Sequence, residues 1–264
     1  MRWEELTADQ FPQAVAQAQG VCLLPLACLE RHGHHLPLGT DMFIARELCR
    51  RAADIEPTLI FPDYVFTQIL EARHCAGTIA IAPELMVSLL DNVCREIARN
   101  GLRKILFVNA HGGNHYLIRF FAQAQLASPR QHVIYVAEPI LAAEDEAIIK
   151  AQWATTVDGH AGESETSMML AFRPDLVHQT QIRDETEGLP LNRLSALRQA
   201  GAYVSIGWYA DHPTHYRGDG RAGTAEKGER QLAARARALA NLIRVIKQDQ
   251  TTPQLQAEFF AASG

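Results

Sequence analysis

Four short apolar runs, VCLLPLACL (21–29), TLIFP (58–62), KILFVNA (104–110) and HVIYVAE (132–138), set the strongest limit on what this chain can fold into. Each is rich in Val, Ile and Leu and bounded by polar residues, which is how a strand buried on both faces reads. Helical stripes separate them. Met86, Leu90, Val93 and Ile97 recur at helical spacing, Leu117, Phe121 and Ala124 follow the third run, and Leu232, Leu239, Leu242 and Ile246 mark a long helix near the C-terminus. Strands alternating with helices predict an α/β fold with a mostly parallel sheet flanked by helices on both faces. There is no internal repeat or low-complexity linker. Residues 184–202 are polar and irregular but too short to divide the chain, so the reading is one domain over 1–264 with that segment as a surface excursion. In such sheets ligands bind beyond the carboxyl ends of the strands.

Composition removes several function classes. Among the 264 residues, Lys+Arg 25 against Asp+Glu 30 gives a net charge of −5, and the charges are dispersed, so no basic face for nucleic acid is expected. The run from Val21 to Leu29 falls far below the ~18 apolar residues of a membrane span and contains Pro25. The polar, acidic start MRWEELTADQ lacks a signal-peptide pattern, which points to a cytoplasmic protein. Cys22, Cys28, Cys49, Cys75 and Cys94 form no CxxC pair and read as buried free thiols.

Histidine is the unusual residue, at 11 in all, and His32, His34, His35, His111 and His115 crowd into two glycine-bearing segments that directly follow apolar runs. In LERHGHHLPLGTD (29–41), Glu30 and His32 are two apart on an extended segment and can point the same way, while Pro37 and Gly39 let the chain turn back to present Asp41. Carboxylates with neutral imidazoles are the ligand set of Zn²⁺, Mn²⁺ and Fe²⁺, and no neighbouring cysteine suggests a thiolate site. The plainer alternative is a polar loop with Asp41 capping the next helix. His34 and His35 cannot both face one pocket from an extended backbone. In NAHGGN (109–114), the glycines allow close backbone approach to a ligand, His111 lies within reach of a metal at the strand ends, and Asn114 is a candidate N-cap. In DGHAGESETS (158–167), His160 sits among glycine turns with Glu163 and Glu165 nearby, although acidic residues also suit a first helical turn on their own. Glu71 to Thr78, including Arg73 and His74, offers substrate contacts or a surface turn; Trp208, Tyr209, His212 and His215 offer a wall over a pocket; residues 218–228 read as a helix-entry turn without nucleotide-binding spacing.

At these three ordered segments the chain resembles the creatininase family. The resemblance implies a creatininase-like fold and two divalent metal ions per chain (Zn, Mn or Fe), with Glu30, His32, Asp41 and His111 as ligands and Asp41 bridging. It also implies His160 as proton carrier and symmetric homo-oligomers, often hexamers. Creatininase itself has a glutamate two residues after the second histidine, where this chain has Gly113, so the fifth ligand comes from elsewhere. Glu165 is preferred over Glu163, which is then assigned a catalytic part. Arg31 and His34 depart from the Gln and Pro usual in the first segment and, with Asn114, His74 and Trp208, are assigned to substrate binding.

The expected function is metal-dependent hydrolysis of a non-peptide C–N bond in a small polar substrate, such as an amide, cyclic amide or formamide, by a hydroxide bridging two metals. Two other readings follow from the same residues: hydrolytic ring opening of a sugar-derived cyclic ketone or lactone, and a noncatalytic metal or small-molecule binding protein.

Overall fold

A computed structural model of the chain describes residues 1–138, 140–183 and 186–263. Its sheet holds four parallel strands, β1 (Val21–Leu26), β2 (Leu59–Ile60), β3 (Lys104–Asn109) and β4 (Val133–Val136), in the order β2-β1-β3-β4. Strand side chains alternate between faces, and that alternation sorts the core. Cys22, Leu24, Leu26, Ile105 and Phe107 point to one side, where they meet α1 (Phe11–Ala18), α3 (Pro83–Arg99) and α4 (His115–Ala124) through Ala14, Leu90, Ile97, Ile118 and Phe121. Val21, Leu23, Leu106 and Val108 point to the other, against Cys49 and Ala52 of α2 (Thr40–Ile55) and Leu239, Ile243 and Ile246 of α9 (Ala225–Gln248). Both faces are therefore covered, which is why the runs lack polar alternation. All five cysteines are buried and free, as expected.

The expected elements appear with three adjustments. The run 58–62 supplies a two-residue strand, because the chain turns away at Pro62 and returns as a single bridge between Leu26 and Tyr64. The α4 stripe keeps Phe121 but takes Ile118 into the core in place of Leu117, which faces a cleft. The excursion 184–202, whose first two residues lie outside the described ones, carries the short helix α7 (Ser195–Gln199) and lends Pro190, Leu194, Leu197 and Arg198 to the rim of that cleft. The remaining helices are α5 (Ala143–Ala151), α6 (Glu163–Phe172), α8 (Gly207–Asp211) and α10 (Thr251–Ser263).

The strand order places the crevice. From β1 the chain goes outward to β2, then crosses back to β3 on β1's other side and outward again to β4, so the winding reverses between β1 and β3. The helices that follow these two strands, α2 and α4, pack on opposite faces and leave a gap at the carboxyl edge. The two histidine segments leave β1 and β3 at that gap. The third segment arrives on α6, which lies against α9. Contact there is close enough that a Cβ at Gly228 would overlap the Ser167 carbonyl.

Burial also creates an acid sensitivity. His132, buried just before β4, is driven down from 6.5 to about 4 by burial, with Arg130 adding to the effect. The unfolded chain therefore binds a proton at this residue below pH 6.5 that the folded chain refuses until about pH 4, so stability falls as pH is lowered through that window. His132→Asn should flatten the pH dependence between those limits by up to about 1.4 kcal/mol per pH unit. Urea midpoints for both proteins at pH 7 and pH 4.5 measure this, and parallel pH dependences would reject it.

Candidate metal centre

After Leu26 the chain leaves the sheet, and Glu30 N–H donates to the Leu38 carbonyl at 3.1 Å, closing a loop. Thr40 begins α2 directly after Pro37 and Gly39, so the turn brings Asp41 back over the strand end. Asp41 does not cap this helix: Gly39 is the N-cap residue, without a side-chain cap. Its two carboxylate oxygens part instead. Oδ1 lies 3.1 Å from His32 Nε2 and Oδ2 lies 3.1 Å from His111 Nδ1. Glu30 Oε1 is 2.7 Å from the same His111 nitrogen, and Glu165 Oε2, from the first turn of α6, is 3.7 Å from His32 Nε2. Two sets of groups thus share Asp41, namely Glu30, Asp41 and His111 with Cys28, and His32, Asp41 and Glu165; a third brings His160 to Glu30 and His32.

Acceptor atoms facing each other at these distances require a cation between them. His32 Nδ1 donates to the Glu30 backbone carbonyl at 3.2 Å, so in the neutral ring the Nε2 lone pair faces Asp41 and Glu165, the orientation of a metal-ligating imidazole. In the absence of metal a proton is drawn in instead. Burial opposes a charge on His32, yet Asp41, with Glu165 and Glu30 beyond it, raises it to about 10, and Glu30 and Asp41 likewise carry buried His111 well above its ordinary value. Burial pushes Glu165 up to about 8 against the pull of His32. Glu30 Oε1 and His111 Nε2 are buried without a hydrogen-bond partner. Three carboxylates, two imidazoles and an unpartnered buried oxygen fit a pair of divalent ions.

His160 stands beside this cluster, its ring 4.2 Å from that of His32 and 4.4 Å from that of His215. Its Nε2 donates to the Arg31 carbonyl at 2.6 Å. Burial drives it down to about 3, with His32 adding to the effect. A cleft of about 2100 Å³ opens over the cluster, with Glu30, His111, His160 and Glu165 at its base, His74, Trp208 and His212 on its walls, and Tyr116, Phe120, Tyr203 and Ile206 exposed toward its mouth.

Four of the expected site residues are corrected. Glu163 is turned away: its carboxylate accepts from Ala154 N, Thr155 N and Thr155 Oγ1 and pairs with Lys227, and it does not line the cleft. Burial works against its charge, but Lys227 and Thr155 outweigh that and hold it below the ordinary carboxylate value. Asn114 is fully buried, donating to Thr67 Oγ1 and Asn109 Oδ1 and accepting from Gln68 N, so it ties two loops together and has no face toward substrate. Arg31 and His34 lie outside the cleft, Arg31 Nη2 3.1 Å from His34 Nε2, and His34 Nε2 sits 3.3 Å from Glu187.

Two neighbours of the cluster do more than the sequence indicates, where Cys28 reads only as a buried free thiol and His215 as part of a pocket wall. Cys28 Sγ donates to Asp41 Oδ2 at 3.5 Å, and burial raises its thiol far above the usual range, so it takes part as a neutral donor. His215 Nε2 contacts Glu30 Oε2 across 185 residues of sequence, a separation no local spacing reveals. Gly113 also has a steric reason. A Cβ there would overlap His111 Nε2 and stand 2.6 Å from Glu71 Oε1, so a side chain beside the second histidine would require these neighbours to shift.

Residues 4–243 match the family model Creatininase, described as creatinine amidohydrolase. The chain is 27% identical over 194 residues to the creatinine amidohydrolase of Pseudomonas putida, covering 68% of this chain and 75% of that protein. It is 30% identical over 242 residues to the mycofactocin precursor peptide peptidase of Mycobacterium tuberculosis (strain ATCC 25618 / H37Rv), covering 86% and 84%. A solved creatinine amidohydrolase (creatininase) shares the fold with a TM-score of 0.74 at 24% identity, over 92% of this chain and 96% of that one. Solved creatininases of similar fold include a manganese form and a zinc–zinc form.

The different settings of the two glutamates separate in experiment. Glu163→Gln leaves Lys227 without its buried partner and should lower stability by ~3 kcal/mol while the metal-to-protein ratio is unchanged. Glu165→Gln should lower metal content and leave the urea midpoint of the metal-free protein nearly intact. Elemental analysis and urea unfolding of both variants check this, and the reverse pattern would exchange their roles.

Proposed function

The chain belongs to the creatininase family, and on that premise we propose that it is a metal-dependent amidohydrolase whose centre holds two divalent ions, one on Glu30, Asp41 and His111 and one on His32, Asp41 and Glu165. The observation that carries this reading is the parting of the Asp41 oxygens toward two separate histidines, the geometry of a bridging carboxylate. Divalent ions bound there supply a Lewis acid for a carbonyl oxygen and lower the pKa of a water toward ~7.

The chain's own residues supply the rest. His160 Nε2–H is engaged by the Arg31 carbonyl and lies 3.7 Å from Glu30 Oε2, so the neutral ring keeps its lone pair on Nδ1, the atom that would take a proton from the attacking water and pass it to the departing nitrogen. Its ring lies between those of His32 and His215, which fixes its orientation. His74, Trp208 and His212 wall the cleft above its base.

The substrate amide is expected in a larger molecule than a compact heterocycle. A cleft of about 2100 Å³ exceeds the ~300–1,000 Å³ of a usual small-molecule site, and its mouth is rich in aromatic side chains. This favours a short peptide as a second reading beside the small non-peptide amide. The 30% identical peptidase supports it.

Metal-replete protein offered formamides, lactams, lactones, cyclic ketones and short peptides should turn over amides, peptides among them, and lose that activity with chelator. Turnover confined to lactones or cyclic ketones would transfer the reading to ring opening. Ligand-induced thermal stabilisation without turnover would make the protein a binder.

A further inference from the structure

Glu30 is held from a direction that the ligand set does not use. Its Oε2 meets His215 Nε2, and His215 Nδ1 in turn receives the Trp208 indole N–H at 2.8 Å. An indole nitrogen donates and cannot accept, so Nδ1 is the accepting nitrogen of His215. The neutral ring therefore carries its proton on Nε2, aimed at Glu30 Oε2. The other oxygen, Oε1, is buried without a hydrogen-bond partner on the side of Asp41 and His111.

We propose that Trp208 and His215 form a positioning pair for the metal centre. The indole selects the tautomer of His215, and His215 fixes the carboxylate of Glu30 so that Oε1 is presented to an ion. The inference rests on the metal-centre reading above. It assigns His215 a hydrogen bond to a ligand and excludes it as a ligand, because a nitrogen that bears a proton has no lone pair for a metal. Consistent with this, His215 belongs to none of the ligand groupings among the described residues.

The backbone supports a placement demanded by the site. His215 is 2% exposed and adopts φ +55°, a left-handed conformation uncommon for a residue with a side chain. Its N–H donates to the His212 carbonyl at 2.9 Å, which closes the turn that aims the ring inward. Trp208, read from the sequence as a substrate contact, thus offers the cleft its ring while its N–H is engaged behind the wall.

The test uses the full chain stripped of metal and reloaded with Zn²⁺, with affinity read by chelator competition. His215→Ala should weaken one of two sites by about 10–100-fold and leave the other unchanged. His215→Gln imposes the same backbone demand but keeps an N–H near the Nε2 position, so it should recover most of that loss. Trp208→Phe keeps the ring and removes the indole donor, and should give a smaller loss at the same site. Histidine ring ¹H–¹⁵N correlation spectra should show His215 as the Nε2–H tautomer both with and without Zn²⁺.

Equal affinity in the Ala, Gln and wild-type proteins would overturn the positioning role. Loss of the Nε2 proton of His215 on loading would make it a ligand and overturn the proposal differently. A wild-type protein that binds no Zn²⁺ would overturn the metal-centre reading itself.

Discussion

Buried Glu30 and Asp41 and partly buried Glu165 are gathered around the ring nitrogens of His32 and His111, and this concentration of carboxyl groups is the constraint the surrounding architecture answers. Uncompensated buried charge is costly, and acceptor pairs at about 3 Å repel unless a cation lies between them. Protons fill that role when nothing else does, which is why both histidines are held far above their ordinary values against burial. A pair of divalent ions meets the same demand while leaving the imidazoles neutral.

The sheet makes the concentration possible. β1 and β3 are neighbours with helices on opposite faces, so the loops leaving them enter one crevice from adjacent strands. Asp41 comes back on the first turn of α2, and Glu165 comes in on the first turn of α6, which α9 backs through the close approach at Gly228. Glu30, His32 and His111 therefore sit on the loops that leave β1 and β3, and Asp41 opens the helix that follows the first of these loops. The fifth candidate ligand depends on a helix far along the chain.

Much of the polarity near the ligands holds scaffolding in place. Asn114 ties the 109–114 turn to residues 67–68, and Glu163 joins residues 154–155 to Lys227 on α9. Both stand within three residues of a candidate ligand, which is why residue type and nearness in sequence assigned them to substrate or catalysis. Buried side chains of this kind must satisfy their own hydrogen bonds, and here those bonds point away from the cleft.

The alternation of apolar runs and helical stripes determined the parallel α/β fold, because strands covered on both faces must be apolar throughout. The spacing of Glu30, His32 and Asp41 around Pro37 and Gly39 determined that three ligand-type groups could converge, since extended and turn geometry act over a few residues. Helical geometry, ~100° per residue, turns Glu163 and Glu165 apart, but which of them faces the crevice depends on how α6 docks on α9. The proximity of Cys28 to Asp41, the contact of His215 with Glu30 and the crowding of the Gly113 position by His111 and Glu71 were decided by the tertiary structure alone. Each depends on the distance between side chains on separate segments or on the direction a ring takes once buried, and local sequence spacing encodes neither.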